Sequence, residues 1–277
     1  MKKNERAAAI VRTIVVSLIA VLFVVPLVWM VLSSLKTAPE VFARPFHWLP
    51  AKAQWQNYAT VWMNEEASML RAFANTLYIA LFSIVGQMFI SSLAAYSFAK
   101  INFKGKQVVF MLFLSSMMVP SQLTIIPRFM LFKTIGLYNN LWAIILPAFF
   151  GATSIFMLRQ FYMGLPNDLL EAAKIDGAGH LRIFLRIMLP LTKAALMSLI
   201  ILTFISSWNE YMAPLIFLVK KELYTVSQNI QWYMLDEFKE HNLTMAAATS
   251  AIVPVVILFI VGQKYFVEGI ATSGVKG

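Results

Sequence analysis

The sequence predicts an all-α polytopic membrane protein, and three observations carry that prediction. Of its 277 residues, 60% are apolar and only 13% charged, a balance far from that of soluble domains. Six windows, Thr13–Leu35, Ala72–Ala99, Gln107–Pro127, Thr134–Leu158, Ala194–Val219 and His241–Gln263, hold no charged residue except Glu210. Each is long enough to cross a hydrocarbon core of about 30 Å, which needs about 20 helical residues. The third observation is an asymmetry of basic residues. Of 23 lysines and arginines, 14 fall in the N-terminus, the short 100–106 loop, the 159–193 loop and the C-terminal tail, and 9 in the three alternate loops. That bias predicts both termini on the cytoplasmic side. In water, six helices apolar on every side would all need complete burial, which one soluble core cannot supply.

Taken in order, the spans are expected at about 13–35, 73–99, 107–127, 138–160, 194–218 and 244–264, within a single membrane domain of residues 1–277. Lys2, Lys3, Arg6 and Arg12 before the first window resemble the basic start of a signal peptide. The apolar run exceeds the about 7 to 15 residues of a signal core and lacks a small-x-small end, so it reads as a retained span. The first outer loop carries Pro39, Pro45, Pro50, Trp48, Trp55 and Trp62, a mixture suited to short pieces anchored at headgroup level. Met117, Met118, Pro120 and Pro127 in the third span, and Pro147 and Gly151 in the fourth, predict bends. The net charge of +10 follows mostly from the loop bias, and no nucleic-acid partner is expected. With no cysteine, neither a disulfide nor a thiolate metal site can form.

The loop at about 164–190 carries the most specific pattern. Pro166, Asn167 and Asp168 suit a helix start, and Leu169–Ile175 continues it. Gly177 and Gly179 break it. A second stretch places Leu181, Phe184, Leu185 and Met188 on one apolar face, with Arg182 and Arg186 off it, and Pro190 is expected to end that helix. Two helices joined by a turn could be a plain interfacial connector. The spacing separates the readings: Glu171, Ala172, Ala173, three residues, Gly177, nine residues, then Ile187, Met188, Leu189 and Pro190.

That frame resembles in full the EAA signature of ABC importer permeases. The likeness extends to Pro26, Leu27, Trp29 and Ser33–Lys36, to Met118–Pro120 with Ile126 and Pro127, to Arg159–Phe161, to Trp208–Tyr211 and to the C-terminal run from Gln263. Within the family the chain is similar to the smaller, six-span permease of maltose and glycerol-phosphate type carbohydrate systems. The resemblance implies a type I importer fold in a bacterial or archaeal plasma membrane. It implies four kinds of partner: a second homologous permease, two ATP-binding subunits, an extracytoplasmic solute-binding protein and the bilayer. ATP and magnesium would then belong to the ATPase, with no cofactor on this chain. Glu171, Ala172, Ala173, Asp176, Gly177, Ile187, Leu189 and Pro190 become the ATPase-coupling residues. Ala172, Ala173 and Gly177 would form the shallow side presented to the ATPase. Tyr224, Thr225, Gln228, Asn229, Gln231 and Trp232, within a segment reaching Asp236, become candidate contacts to the binding protein. The tail at about Thr272–Gly277 becomes a candidate ATPase contact.

The residues themselves argue against catalysis by this chain. Gly105–Lys106 is followed by Gln107 and lacks the upstream glycine of a phosphate-binding loop, and no Gly-x-Ser-x-Gly occurs. No catalytic or metal site is expected. Glu210 falls inside the fifth window, where a carboxylate costs about 2.5 to 3.5 kcal/mol, so it should face the bundle interior or a wet cavity. With Trp208, Asn209, Tyr211, Asn75 and Gln122 it forms a candidate substrate path, since aromatic rings stack on sugars while Asn and Glu bond hydroxyls. The plainer reading is that Glu210 and Asn209 pair across helices for assembly. The competing function is an ATP-independent secondary transporter or channel, which would normally show intramembrane charge pairs around an ion site.

Overall fold

The computed structural model describes residues 2–235 and 240–274, and all of their regular structure is helical. In chain order these are α1 (Lys2–Ser34), the short α2 (Ala38–Val41) and α3 (Gln56–Met63), the long α4 (Met69–Lys100), α5 (Lys106–Ser115), α6 (Ser121–Thr134), α7 (Trp142–Ala148) and α8 (Ala152–Gly164). They continue with α9 (Asp168–Ile175), α10 (His180–Ile183), α11 (Leu189–Leu191), α12 (Lys193–Asn209), α13 (Met212–Phe217), α14 (Val226–Leu235) and α15 (His241–Gly274).

Ala8–Ser34, Met69–Lys100, Trp142–Gly164 and His241–Gln263 are each long and apolar enough to cross a membrane. The segments Lys106–Met118 with Ser121–Thr134, and His180–Leu191 with Lys193–Asn209, qualify as pairs bent by 97° and 77°. Counting each bent pair as one crossing gives the six expected. The bends have local causes. A 3₁₀ turn at Ser116–Met118 precedes Pro120, which has no N–H to continue the ladder. The predicted break in the fourth span falls between Ala148 and Ala152, around Gly151.

Two expectations are corrected here. The third crossing does not stop near Pro127: α6 runs on to Thr134, so Arg128 belongs to an apolar helix rather than to a loop. The fifth helix does not run through Glu210. It ends at Asn209, Glu210 is extended at φ −65° and ψ 124°, and the chain restarts as α13.

Two compact units emerge, Met1–Leu70 with Asn229–Val253 and Arg71–Gln228 with Pro254–Gly277. In the first, buried Asn57 closes the end of α1 by donating to the carbonyls of Ser34 (2.8 Å) and Lys36 (2.9 Å). Asn242 in turn donates to Asn57 Oδ1 at 3.1 Å. Carbonyls at a helix C-terminus have no partner within the helix, and this network supplies one. None of the apolar window of α1 is buried. An exposed Leu, Ile or Phe forgoes about 1.5–3 kcal/mol of burial in water, so α1 needs lipid or another chain around it.

The second unit has two cores. One gathers Ile79, Phe132, Ile144, Ile145, Phe217 and Leu218. The other includes Tyr96, Leu158, Tyr162 and Leu199, and on it the 164–190 loop rests.

Candidate functional site

The helix α9 is only eight residues long, too short to persist alone. It is held by an inward face, Leu170 and Ala173, three apart and both buried in the core with Tyr96 and Tyr162. The opposite face exposes Glu171, Ala172, Lys174, Ile175 and Asp176. Ala173 therefore does not share the outer side with Ala172. At about 100° per residue, adjacent positions diverge, and Ala173 fits α9 closely to its own chain instead.

The turn after α9 forms as the glycine predicts. Gly177 has φ +78°, a region costly for residues with Cβ. Its N–H donates to Lys174 O at 3.0 Å and that of Ala178 to Ala173 O at 2.9 Å, the paired bonds of a Schellman ending. At the other end the expected side-chain cap is missing, because Asn167 Oδ1 accepts from Lys100 Nζ at 2.6 Å instead. The same ammonium reaches Leu165 O at 2.7 Å. A second tie joins Tyr96 Oη and His180 Nδ1 at 3.2 Å. Arg159 donates to Phe98 O at 3.3 Å and lies 4.1 Å from the Phe110 ring centre.

Beyond Gly179 the predicted apolar stripe is redrawn. Residues Phe184–Met188 form a π turn, and the buried set is Ile183, Phe184 and Met188 while Leu181 and Leu185 are exposed. Five-residue spacing replaces the i, i+3, i+4 pattern. The cause lies just downstream: Pro190 cannot donate back and its ring crowds the carbonyl four residues earlier, so the preceding turn widens. Nor does Pro190 end the helix, since α11 carries it to Leu191 and the break follows at Thr192. Thr192 is buried and its hydroxyl donates to Leu189 O at 2.8 Å. Ile187 and Leu189 pack partly buried against the same core, while Pro190 is exposed.

The candidate path residues separate. Trp208 is 2% exposed, stacked on Phe204 with ring centres 5.4 Å apart and edge-on to Phe73 at 5.3 Å, so it is a core residue. Asn75 donates both amide hydrogens to the carbonyls of Glu222 (2.8 Å) and Tyr224 (3.1 Å), which makes it a loop anchor. Asn209 is exposed and bonds back to Ile205 O at 2.8 Å. Gln122 is exposed in the first turn of α6, and Tyr211 is half-buried. Glu210 is half-buried, and its Oε1 accepts the Ala213 N–H at 3.0 Å. That donor belongs to the first turn of α13 and has no partner within the helix. Arg128 stands 5.0 Å from the Phe217 ring centre, attracted by Glu210, with its Nε buried and without a hydrogen-bond partner among the described residues.

The candidate binding-protein contacts also need correction. Thr225, Gln228 and Asn229 are buried. Gln228 donates to Pro214 O (3.1 Å) and Leu218 O (3.2 Å), and its Oε1 receives the Thr225 N–H at 3.1 Å. Asn229 donates to Ala67 O at 2.9 Å. Tyr224, Gln231 and Trp232 are half-buried and keep some exposed surface. Asp236 and the tail from 275 onward lie outside the described residues.

Residues 87–272 match the family described as the inner membrane component of binding-protein-dependent transport systems. The chain belongs to this family. The permease is 34% identical over 267 residues to the arabinooligosaccharides transport system permease protein AraQ of Bacillus subtilis (strain 168), covering 96% of this chain and 95% of that one. It is 30% identical over 279 residues to the sn-glycerol-3-phosphate transport system permease protein UgpE of Yersinia pestis bv. Antiqua (strain Antiqua), covering 99% of each. Its fold matches a chain in the crystal structure of a bacterial ABC transporter involved in the import of the acidic polysaccharide alginate. That match has a TM-score of 0.84, 24% identity, and covers 95% of this chain and 98% of the other. The permease thus has the fold of an ABC importer's membrane subunit.

Sequence reasoning missed three residues of the candidate site. Ile175 is 86% exposed at the end of α9, an apolar side chain on the outer face that the 3.6-residue period could have flagged. Lys100 and Tyr96 brace the loop from α4, more than sixty positions away in sequence, and no local pattern reports such a pairing.

Proposed function

We propose that this permease is the smaller, six-crossing membrane subunit of an ATP-driven importer for a carbohydrate, an oligosaccharide or a related polyol phosphate. On this reading residues 1–277 act as one membrane domain with both termini and the 164–190 loop in the cytoplasm. A second homologous permease completes the pathway, two ATP-binding subunits carry ATP and magnesium, and an extracytoplasmic protein delivers the solute. One observation carries the proposal. α9 presents Glu171, Ala172, Ile175 and Asp176 outward while Leu170 and Ala173 seat it on a core that also holds residues of α4, α8 and α12. An exposed apolar side chain ringed by charge suits a protein groove, and the rigid backing lets a push on α9 reach the crossings.

The substrate class is supported by the named relatives, which include arabinooligosaccharide and glycerol-phosphate permeases. Alternating access fits the two bent crossings, since Pro120 and Thr192 mark breaks about which helices can reorient. The test is co-purification of the permease with its ATPase, followed by identification of the ligand carried by the associated binding protein. A sugar-class ligand and ATP-dependent uptake are expected. Uptake that persists without any ATPase would return the chain to the class of ATP-independent transporters.

A further inference from the structure

An amide inside one crossing ties three helices together and has no part in the site above. Gln87 lies within α4 and is half-buried, and its side chain is fixed from two sides. Its Oε1 accepts the Thr203 hydroxyl from α12, and its Nε2 donates to Ser154 Oγ in the first turn of α8 at 3.0 Å. Ser154 and Thr203 are 5% and 8% exposed, so both hydroxyls are shielded from competing solvent. One side chain thus joins the second crossing to the fourth, just beyond its break, and to the fifth, before α12 ends at Asn209.

Two glycines make that reach possible. A Cβ on Gly86 would lie 2.1 Å from the Phe149 ring, and one on Gly151 would lie 2.1 Å from Gln87 Nε2. α4 therefore presses its backbone against the break between α7 and α8, and the amide fills the space that a side chain at 151 would take. Gly151 has φ −84° and ψ 101°, a conformation open to any residue. Its lack of a side chain is explained by the amide rather than by the backbone.

Apolar contact alone positions helices poorly in a bilayer. Lipid tails are as apolar as leucine, so close packing and hydrogen bonds between helices decide where each one sits. The core beneath α9 joins Tyr96 of α4, Leu158 of α8 and Leu199 of α12, an apolar surface along which these helices can slide. The bonds at Gln87 are directional and do not survive such a slide. We propose that Gln87 is the positioning residue that makes α4, α8 and α12 turn as one body, so that a push received at α9 reaches the end of α12 beside Glu210. The inference rests on the reading of α9 as the ATPase-coupling helix.

The test measures solute uptake and ATP hydrolysis by the permease assembled with its partners in vesicles, with the melting temperature followed in parallel. Gln87→Met keeps the length of the side chain and loses both bonds. Thr203→Val removes one hydroxyl and Thr203→Ser keeps it, while Gly151→Ala displaces the amide with Gln87 still present. Uptake per ATP hydrolysed is expected to fall several-fold in Gln87→Met, Thr203→Val and Gly151→Ala while hydrolysis continues, and to stay near wild type in Thr203→Ser. Adding Thr203→Val to Gln87→Met should lower the ratio no further, because both remove one linkage. If Gln87→Met fails to assemble, the two Thr203 variants decide. An unchanged ratio in Thr203→Val and Gly151→Ala overturns the proposal even if the melting temperature falls, since a bond that only supports packing would lower stability and leave the ratio intact. Wild-type uptake without any ATPase is a different result, and it would break the reading of α9 instead.

Discussion

α9 and α14 are both short helices between crossings, and both carry polar residues that invite a partner, yet they use those residues in opposite ways. In α9 the charged and small side chains named by the motif stand mostly outside, and two apolar ones fix the helix to its core. In α14 the polar side chains turn inward, where Gln228 and Asn229 satisfy backbone carbonyls that no helix ladder reaches. Polarity alone does not mark a docking surface, because a buried amide satisfying loop carbonyls has the same composition as an exposed one awaiting a partner. A fixed spacing with a glycine whose backbone demands it carries more information.

The largest test of that contrast is on α9. Gly177→Val should abolish ATP-dependent uptake with the chain still inserted, since a β-branched residue in the left-handed region adds at least about 1–2 kcal/mol of strain. No neighbour stands within 4 Å of a Cβ there, so Gly177→Asn, which tolerates that region, should keep most uptake. Normal transport by the valine variant would break the assignment of the turn. Glu171→Lys should be equally severe in uptake while leaving the melting temperature unchanged, because the side chain is exposed.

Next in size is Asn229→Leu on α14. It removes one of two donors to Ala67 O, the Tyr233 hydroxyl keeping its bond at 3.0 Å, a loss of about 0.5–1.5 kcal/mol, so the melting temperature of the assembled transporter should fall slightly. Gln231→Ala should weaken capture of the binding protein without that fall. If Asn229→Leu instead left stability intact and abolished capture, α14 would resemble α9 after all. A smaller effect is expected for Lys100→Met, which removes the donor to Leu165 O and Asn167 Oδ1. Uptake per ATP hydrolysed should drop several-fold, and Lys100→Arg should restore part of it. The smallest concerns Glu210. Glu210→Gln keeps the acceptor for Ala213 and should change stability little, whereas Glu210→Ala loses it at a cost of about 0.5–2 kcal/mol. Uptake reduced in the glutamine variant with ATPase activity unchanged would mark the charge facing Arg128 as part of the path.

Much of this was legible in the sequence. The four helices long enough to cross, and the two bent pairs that bring the number to six if each is one crossing, follow from uncharged windows and bilayer thickness, and the Gly177 turn from the one residue type that takes φ +78° cheaply. What escaped was set by contacts distant in sequence or by backbone adjustments without a compositional sign. The π turn before Pro190 shifted which apolar residues face the core, and the break at Glu210 turned a presumed mid-helix carboxylate into an acceptor for a helix start. Trp208 and Asn75 looked like ligand-binding types because burial and bond partners are not properties of residue type.

The unburied length of α1 has a consequence for biogenesis. A helix that leaves the insertion machinery with every side uncommitted can diffuse in the bilayer until a cognate surface captures it, and until then it is open to surveillance by membrane proteases. Synthesis of this subunit without its companions should therefore yield a short-lived chain, so that the supply of companions sets how much permease the cell keeps.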